Sequence, residues 1–267
     1  YQDKFTEAAS ALDNVIGVYS LVSDYGSQFL RFGENGPESV FEIQYSNQSN
    51  WYDWGCAHCS EGNYAIIMNG PRGWSGPEYA QGWSFNVPTA EFYNSFEDGD
   101  TRRDATVLDI EVFAAATGAS YTEGYDHTGY FNNKYIPRAG ESGGQTELNY
   151  LTNFRIIRYS DVLLMAAEAY NRGGIDDGLA QEFLNQVRRR AFGDNDHDIS
   201  ASGTALTDAI LEERKFELSL EGHRFFDLVR TGRASSLIAG FVEGKHEVFP
   251  IPQQEVDVSG LTQNAGY

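Results

Sequence analysis

Basic residues are scarce in this chain. Among 267 residues, 19 Lys and Arg stand against 39 Asp and Glu, a formal charge of −20. A nucleic-acid binder needs a basic face to displace counterions from phosphates, and the one basic run, Arg188-Arg189-Arg190, is too short to supply it. Nucleic acid and anionic lipid are therefore poor partners. Cysteine is nearly absent, with Cys56 and Cys59 only. No apolar run approaches the ~18 residues that cross a bilayer. The first residues carry no charged segment followed by an apolar one, so any export signal is expected to stand outside this sequence. Gly-rich phosphate loops, nucleophile elbows and H-E-x-x-H motifs are also missing.

What is present argues for a folded chain. Leu, Ile, Val and Phe number 61 of 267 residues, above the roughly 20 % below which a highly charged chain stays unfolded. Aromatics are abundant, and all four tryptophans, Trp51, Trp54, Trp74 and Trp83, fall in one short window. The charge is uneven: residues 1–152 hold 7 basic and 21 acidic side chains, residues 153–233 hold 11 and 14. An acidic, loop-rich portion (1–152) is thus expected before a helical portion with an extended tail (153–267), the two forming one integrated domain.

Apolar periodicity places the elements. Phe5, Ala8, Ala9, Leu12, Val15 and Ile16 predict an amphipathic helix ending before Gly17, with no partner helix evident nearby. Val40 to Tyr45 alternates as a strand. From Ser46 to about Glu91 the chain is dense in Gly, Asn, Ser and Pro, a long irregular segment of the kind that is functional or disordered, and its aromatics favour order. A short helix is expected from Thr89, a strand or helix over 107–114, and a strand at Asn133–Ile136 before Pro137. In the second half Tyr159, Val162, Leu163, Ala166, Ala169 and Tyr170 form a helical stripe, with Asn153 as its N-cap region and Gly173-Gly174 as its stop. Asp176 or Asp177 caps the next helix, whose stripe runs from Leu179 to Ala191. A third helix runs from Leu206 to Gly222 and a fourth, through Phe225, Phe226, Leu228 and Val229, to Gly232. The predicted class is mainly α: tetratricopeptide-like helix pairs, a long irregular portion and a few short strands.

Several stretches also resemble one family. Arg158 to Ala169 (RYSDVLLMAAEA), Leu184 to Ala191 (LNQVRRRA), Glu213 to Leu218 (ERKFEL) running into Glu221 to Arg230 (EGHRFFDLVR), and the ending Phe249 to Glu255 with Leu261 to Tyr267 are similar to the SusD/RagB outer-membrane lipoproteins of Bacteroidetes. So are Glu38 to Ile43 and Gly99 to Asp104; Ala265 departs from the pattern, standing where the family usually has proline. The resemblance implies a binder and not an enzyme. It implies capture of oligo- or polysaccharide or another nutrient at the bacterial cell surface, beside a TonB-dependent SusC-like transporter. Members are typically about twice this length and lipid-anchored, so this chain is expected to be their C-terminal portion. No cofactor is implied.

Four constellations carry chemistry. Trp51, Tyr52, Trp54, Tyr64, Trp74, Tyr79 and Trp83 offer flat platforms for the C–H face of a sugar, and Asn50, Asn63, Asn69, Arg72 and Gln81 offer hydrogen bonds to its hydroxyls. The same aromatics could instead pin a long loop to the helical body, and the two readings stand side by side. Cys56-x-x-Cys59 lacks the second ligand pair of a zinc site, and His58 is wrongly spaced to complete one; a short-range disulfide is expected ahead of two free thiols. Glu213, Glu217 and Glu221 recur every four residues on a helix with interleaved Arg214, Arg224 and Arg230 and with Asp227. Paired carboxylates serve glycoside hydrolases, but the arginines argue for an ion network between packed helices. Asp194-Asn195-Asp196-His197-Asp198 has a calcium-loop rhythm, yet Ile199 and Ala205 stand where an EF-hand needs Gly and Glu. A surface link is expected there, with calcium as the alternative. The rivals to glycan capture are a helical protein-interaction module and a glycoside hydrolase.

Overall fold

The computed structural model describes residues 2–48, 61–143 and 148–267. Contacts divide the chain into two compact units, one spanning Asp3–Glu221 and one built on Gly222–Tyr267. The first opens with helix α1 (Phe5–Asp13), two short 3-10 turns (Gly26–Phe29 and Arg31–Gly33) and strand β1 (Ser39–Ile43). The irregular portion then holds α2 (Ile66–Asn69), β2 (Arg72–Ser75), α3 (Ala90–Asn94), α4 (Arg102–Thr106), β3 (Val107–Asp109), α5 (Ile110–Thr117), β4 (Ser120–Thr122) and β5 (Tyr130–Asn132). Strand β6 (Phe154–Arg158) leads into the long helices α6 (Tyr159–Arg172), α7 (Asp177–Phe192) and α8 (Gly203–Glu217). The second unit carries the shorter α9 (Arg224–Arg230), α10 (Ala234–Leu237) and α11 (Gln253–Ser259). The mainly helical class with few short strands is as the sequence predicts. Among the described residues no helix is long and apolar enough to cross a membrane.

Helix α6 is the axis of the first unit. Its sequence predicts one apolar stripe, but it is buried nearly all round, because α1, α7 and α8 all pack against it. Val162, Leu163, Leu164, Ala166 and Ala167 meet Phe183, Leu184 and Val187 of α7 and Leu206 and Ile210 of α8 in one core cluster. The alanines allow close approach of the helices while the larger residues fill the remaining space. Helix α1 thus has its partner some 150 residues away, beyond the reach of local periodicity. Helix α7 starts where the sequence predicts: the Asp176 carboxylate accepts from the Leu179 N–H at 3.0 Å, and Gly193, at φ 83°, ends it in the left-handed conformation glycine tolerates. Asp176→Ala is expected to lower stability by about 1 kcal/mol, read as a shift of the urea midpoint.

Three boundaries differ from expectation, and one open reading is met both ways. Asn153 does not cap α6; residues 154–158 are β6, antiparallel to β1 with Phe41 opposite Ile157 and Ile43 opposite Phe154. The Asn153 side chain ties that sheet instead, accepting from the Tyr45 N–H at 2.9 Å and donating to Glu42 at 3.1 Å. The strand expected at 133–136 lies just upstream, as β5 paired with β3. There the Asn132 carboxamide accepts from the Lys134 and Tyr135 N–H groups at 3.0 and 3.2 Å, curling the chain into a turn. Over 107–114 both readings hold in sequence, strand β3 and then α5, with Asp109 capping the Val112 N–H at 3.0 Å. Helix α8 stops at Glu217, short of Gly222, since Leu220 sits at φ 63° and the Lys134 ammonium takes the buried carbonyls of Glu217 and Ser219 at 3.0 and 2.8 Å.

Two smaller clusters organise the irregular portion. Tyr25, Phe29, Ile66, Ile67, Tyr135 and Tyr150 form one, and Tyr79, Leu108, Ile110, Phe131 and Ile136 the other. Gly70 and Gly82 face each other so closely that a Cβ on Gly82 would collide with the Gly70 backbone. That approach lets Ser84 N–H reach the Gly70 carbonyl at 2.8 Å, folding the segment back on itself.

Candidate functional site

The aromatic window is partly committed to the fold. Tyr79 is 4 % exposed, donates to the Asn133 carboxamide at 3.2 Å and lies under the Arg138 guanidinium at 5.3 Å. Burial pushes its phenol up to about 12. Trp74 packs edge-on to Tyr79 at 5.9 Å and beside Phe113 at 6.0 Å, and its buried Nε1 makes no hydrogen bond among the described residues. Trp83 rests against the cluster around Tyr25 and meets Phe85 at 6.5 Å and 88°. Asn63 donates to the Thr152 carbonyl at 2.9 Å and accepts from the Ala65 N–H at 3.1 Å. Asn69 donates to the Tyr135 carbonyl at 2.9 Å and accepts from Asn86 at 3.4 Å. These two amides brace the loop, so the loop-anchoring reading accounts for their contacts.

Other predicted residues face solvent. Tyr64, Arg72 and Gln81 are exposed, and Arg72 Nε donates to the Trp83 carbonyl at 2.7 Å. Asn50, Trp51, Tyr52, Trp54, Cys56 and Cys59 lie outside the described residues. The sequence reading missed Phe85, which is 53 % exposed between Ser84 and Asn86, both at positive φ. Apolar patterning gives no signal for an outward phenylalanine, because the cause is a backbone conformation.

The acidic residues on α8 sit at the centre of a buried ion network. Glu217 is fully buried and meets three guanidiniums: Arg158 at 2.9 Å, Arg102 at 3.1 Å and Arg190. Arg158 also reaches Glu38 at 2.8 Å and Glu221 at 2.8 Å, and Glu221 takes the Lys134 ammonium at 2.7 Å. Glu213 pairs with Arg188 at 2.9 Å and with Arg102. Burial alone would raise the Glu217 carboxyl, but Arg190, Arg158 and Arg102 overcome it and hold it well below the usual range. Glu221 is lowered in the same way, with Arg158 and Lys134 outweighing its burial. Burial draws the Lys134 ammonium down to about 8 despite the attraction of Glu221.

The ion-network reading of these carboxylates therefore holds, with a correction to the partners. Glu221 lies beyond the end of α8, and most of the arginines come from elsewhere in the chain. Arg214 binds Asp161 and Arg230 binds Asp227. Glu213 and Glu217, buried and saturated by guanidiniums, are out of reach of a substrate and of water, so they are not a hydrolase's acid and base.

The Asp194–Asp198 segment takes the surface-link role. Asp198 is held by Arg189 at 2.9 Å, Asp194 accepts from the Asp196 N–H at 3.0 Å, and the His197 ring stacks on Phe192 at 3.9 Å. Among the described residues no group of three or more His, Cys, Asp or Glu side chains is placed to hold a metal ion.

Helices stacked around α6, with an aromatic-rich loop portion beside them, define a helical-repeat scaffold that carries irregular loops. The SusD family model matches residues 104–247, more than half of the chain, and the chain belongs to the SusD family. SusD-like protein P2 of Formosa agariphila is 27 % identical over 254 residues, covering 86 % of this chain and 48 % of that protein. The chain thus spans about half the length of the curated relatives it matches. Among solved structures, a laminarin-binding SusD-like protein is 38 % identical with a TM-score of 0.88, covering 100 % of this chain and 60 % of the other. Surface glycan-binding protein A from Bacteroides thetaiotaomicron, in complex with laminarihexaose, is 33 % identical with a TM-score of 0.88, covering 99 % of this chain and 61 % of the other.

Proposed function

We propose that this chain is part of a surface glycan-binding protein that captures oligo- or polysaccharide at the bacterial outer membrane. It delivers the glycan to a SusC-like TonB-dependent transporter and does not cleave it. The observation that carries this reading is the likeness along essentially the whole chain to a protein solved with laminarihexaose. Support comes from the loop portion, where aromatic platforms and amide or guanidinium donors lie close in sequence, as sugar recognition requires. The ligand site is assigned to the predicted window: Asn50, Trp51, Tyr52 and Trp54 with Tyr64, Arg72 and Gln81, and with Trp74, Tyr79, Trp83, Asn63 and Asn69 supporting them.

The test is titration calorimetry with laminarihexaose and other neutral hexasaccharides. Trp51→Ala and Trp54→Ala are each expected to weaken binding by about tenfold, the equivalent of ~1.4 kcal/mol of lost stacking, with an unchanged unfolding midpoint. Unaltered titrations in both variants and in Trp74→Ala would overturn the assignment. Release of shortened oligosaccharides by the wild-type chain would overturn the non-enzymatic reading.

A further inference from the structure

We propose that Phe85 and Arg72 form the anchoring corner of the glycan site, and that this corner takes a neutral hexose ring whose neighbouring hydroxyls meet the Arg72 guanidinium. The inference rests on the glycan reading above and adds to it a residue and a ligand class.

The geometry of Phe85 is enforced by its backbone. Ser84 and Asn86 stand at φ 58° and 53°, the left-handed region that L-residues other than glycine rarely occupy and that persists only where surrounding contacts over-determine it. Those contacts are present. Ser84 N–H donates to the Gly70 carbonyl at 2.8 Å, Phe85 N–H to the Met68 carbonyl at 2.8 Å, and Asn86 to the Asn69 carboxamide at 3.4 Å. The Ser84 hydroxyl accepts from the Arg72 N–H at 3.1 Å. A large apolar ring is thereby held in solvent on a braced loop, whereas nearby Tyr79 and Trp74 pack inward.

Arg72 stands alone. It is the single Lys or Arg between Arg31 and Arg102, a stretch with ten Asp and Glu. Unlike the arginines of the buried network it has no carboxylate partner among the described residues. Its Nε is fixed on the Trp83 carbonyl at 2.7 Å, and its guanidinium lies over the Phe85 ring in a cation–π contact, 5.7 Å from the ring centre. One donor is thus spent on holding the group in place, and the terminal N–H groups of an exposed fork remain for a ligand. Trp83 stands edge-on to Phe85, so a floor and a wall of aromatic carbon adjoin a planar donor pair. That combination suits a pyranose: C–H groups against the part of the ring beyond the guanidinium, two adjacent hydroxyl oxygens on its outward terminal N–H groups.

The surrounding charge selects among sugars. Residues 1–152 carry three acidic side chains for each basic one, and such a field repels a polyanionic chain before one guanidinium can attract it. A neutral ring meets no such barrier.

The experiment is calorimetry with a panel of neutral hexasaccharides, laminarihexaose, cellohexaose, maltohexaose and mannohexaose, and with hexagalacturonate as the acidic probe. Phe85→Ala and Arg72→Gln are expected to weaken binding of whichever neutral hexamer the wild type takes by at least tenfold. Arg72→Lys, which keeps the charge without the fork, is expected to recover little. Tyr125→Ala, removing a still more exposed ring elsewhere, is expected to change nothing, and affinity is expected to be flat between 50 and 500 mM salt. Unfolding midpoints accompany each titration; if Phe85→Ala fails to fold, Phe85→Leu, which keeps bulk without a flat ring, carries the test. Wild-type binding left intact by the Phe85 and Arg72 substitutions overturns the corner while leaving the glycan reading in place. Tighter binding of hexagalacturonate, lost in Arg72→Gln, overturns the neutral assignment. Failure of the wild type to bind any hexamer overturns the glycan reading itself.

Discussion

Glu217→Gln is expected to cost about 3–5 kcal/mol of stability, a large fraction of the ~5–15 kcal/mol that holds a domain folded. Glutamine fills nearly the same volume, so no cavity enters the comparison. What changes is charge: Arg102, Arg158 and Arg190 converge on this carboxylate, and neutralising it leaves three buried guanidiniums sharing Asp100, Glu38, Glu213 and Glu221. A buried charge stripped of its partner pays its desolvation without compensation, and this dominates over whatever net gain the intact pair supplies. Arg31→Ala breaks the partly exposed Arg31–Glu34 contact at 3.3 Å and serves as the reference, with an expected change below about 0.5 kcal/mol. Urea unfolding followed by tryptophan fluorescence reads both. A shift for Glu217→Gln no larger than that for Arg31→Ala would mean that the network is not held as charged pairs.

The same cluster shows where sequence stops being informative. Glu213 and Glu217 are one helical turn apart, so their common face is legible from spacing alone. Their partners are not. Arg102 comes from α4, Arg158 from the end of β6 and Arg190 from α7. Nothing local says that these cations leave water to meet one carboxylate. By contrast the start of α7 was legible, since Asp176 signals a cap through its own chemistry. The boundary of α6 was not, because residues 154–158 become a strand only by pairing with β1, more than a hundred residues earlier.

The candidate site divides on the same line. Residue types that suit sugar recognition were visible as a cluster, but type does not separate a platform from a peg. Tyr79 and Asn63 read identically to Tyr64 and Gln81 until the fold places the first pair inside and the second outside. Phe85 went unnoticed for the converse reason: phenylalanine reads as core, and only the left-handed backbone on either side holds it in water.

Acidification is expected to unfold the first unit steeply below about pH 4.5, while leaving it insensitive between about pH 5 and 8. Glu217 and Glu221 are held below their ordinary range in the folded chain by Arg190, Arg158 and Lys134. The unfolded chain therefore takes up protons first, near the ordinary glutamate value, and each proton it alone binds tilts the balance toward unfolding. The stabilisation is complete above the unfolded value and fades as pH falls toward the folded one. With both carboxylates titrating the slope is about 3 kcal/mol per pH unit. Lys134 acts on the alkaline side with the opposite sense. Its folded value of about 8 lies below the ordinary 10.5, so between these the unfolded chain holds the extra proton and this group's contribution to stability rises with pH. Tyr25, raised well above 10 by burial and by Glu217, then reverses the trend, because the unfolded phenol ionises first. Thermal midpoints measured from pH 3 to 11 should thus show an acid cliff, a plateau, a gain between pH 8 and 10 and a final loss. Glu221→Gln should reduce the acid slope, and Lys134→Met should abolish the gain between pH 8 and 10 while leaving the acid cliff in place. An acid limb of the same slope in Glu221→Gln would place the titrating groups elsewhere in the chain.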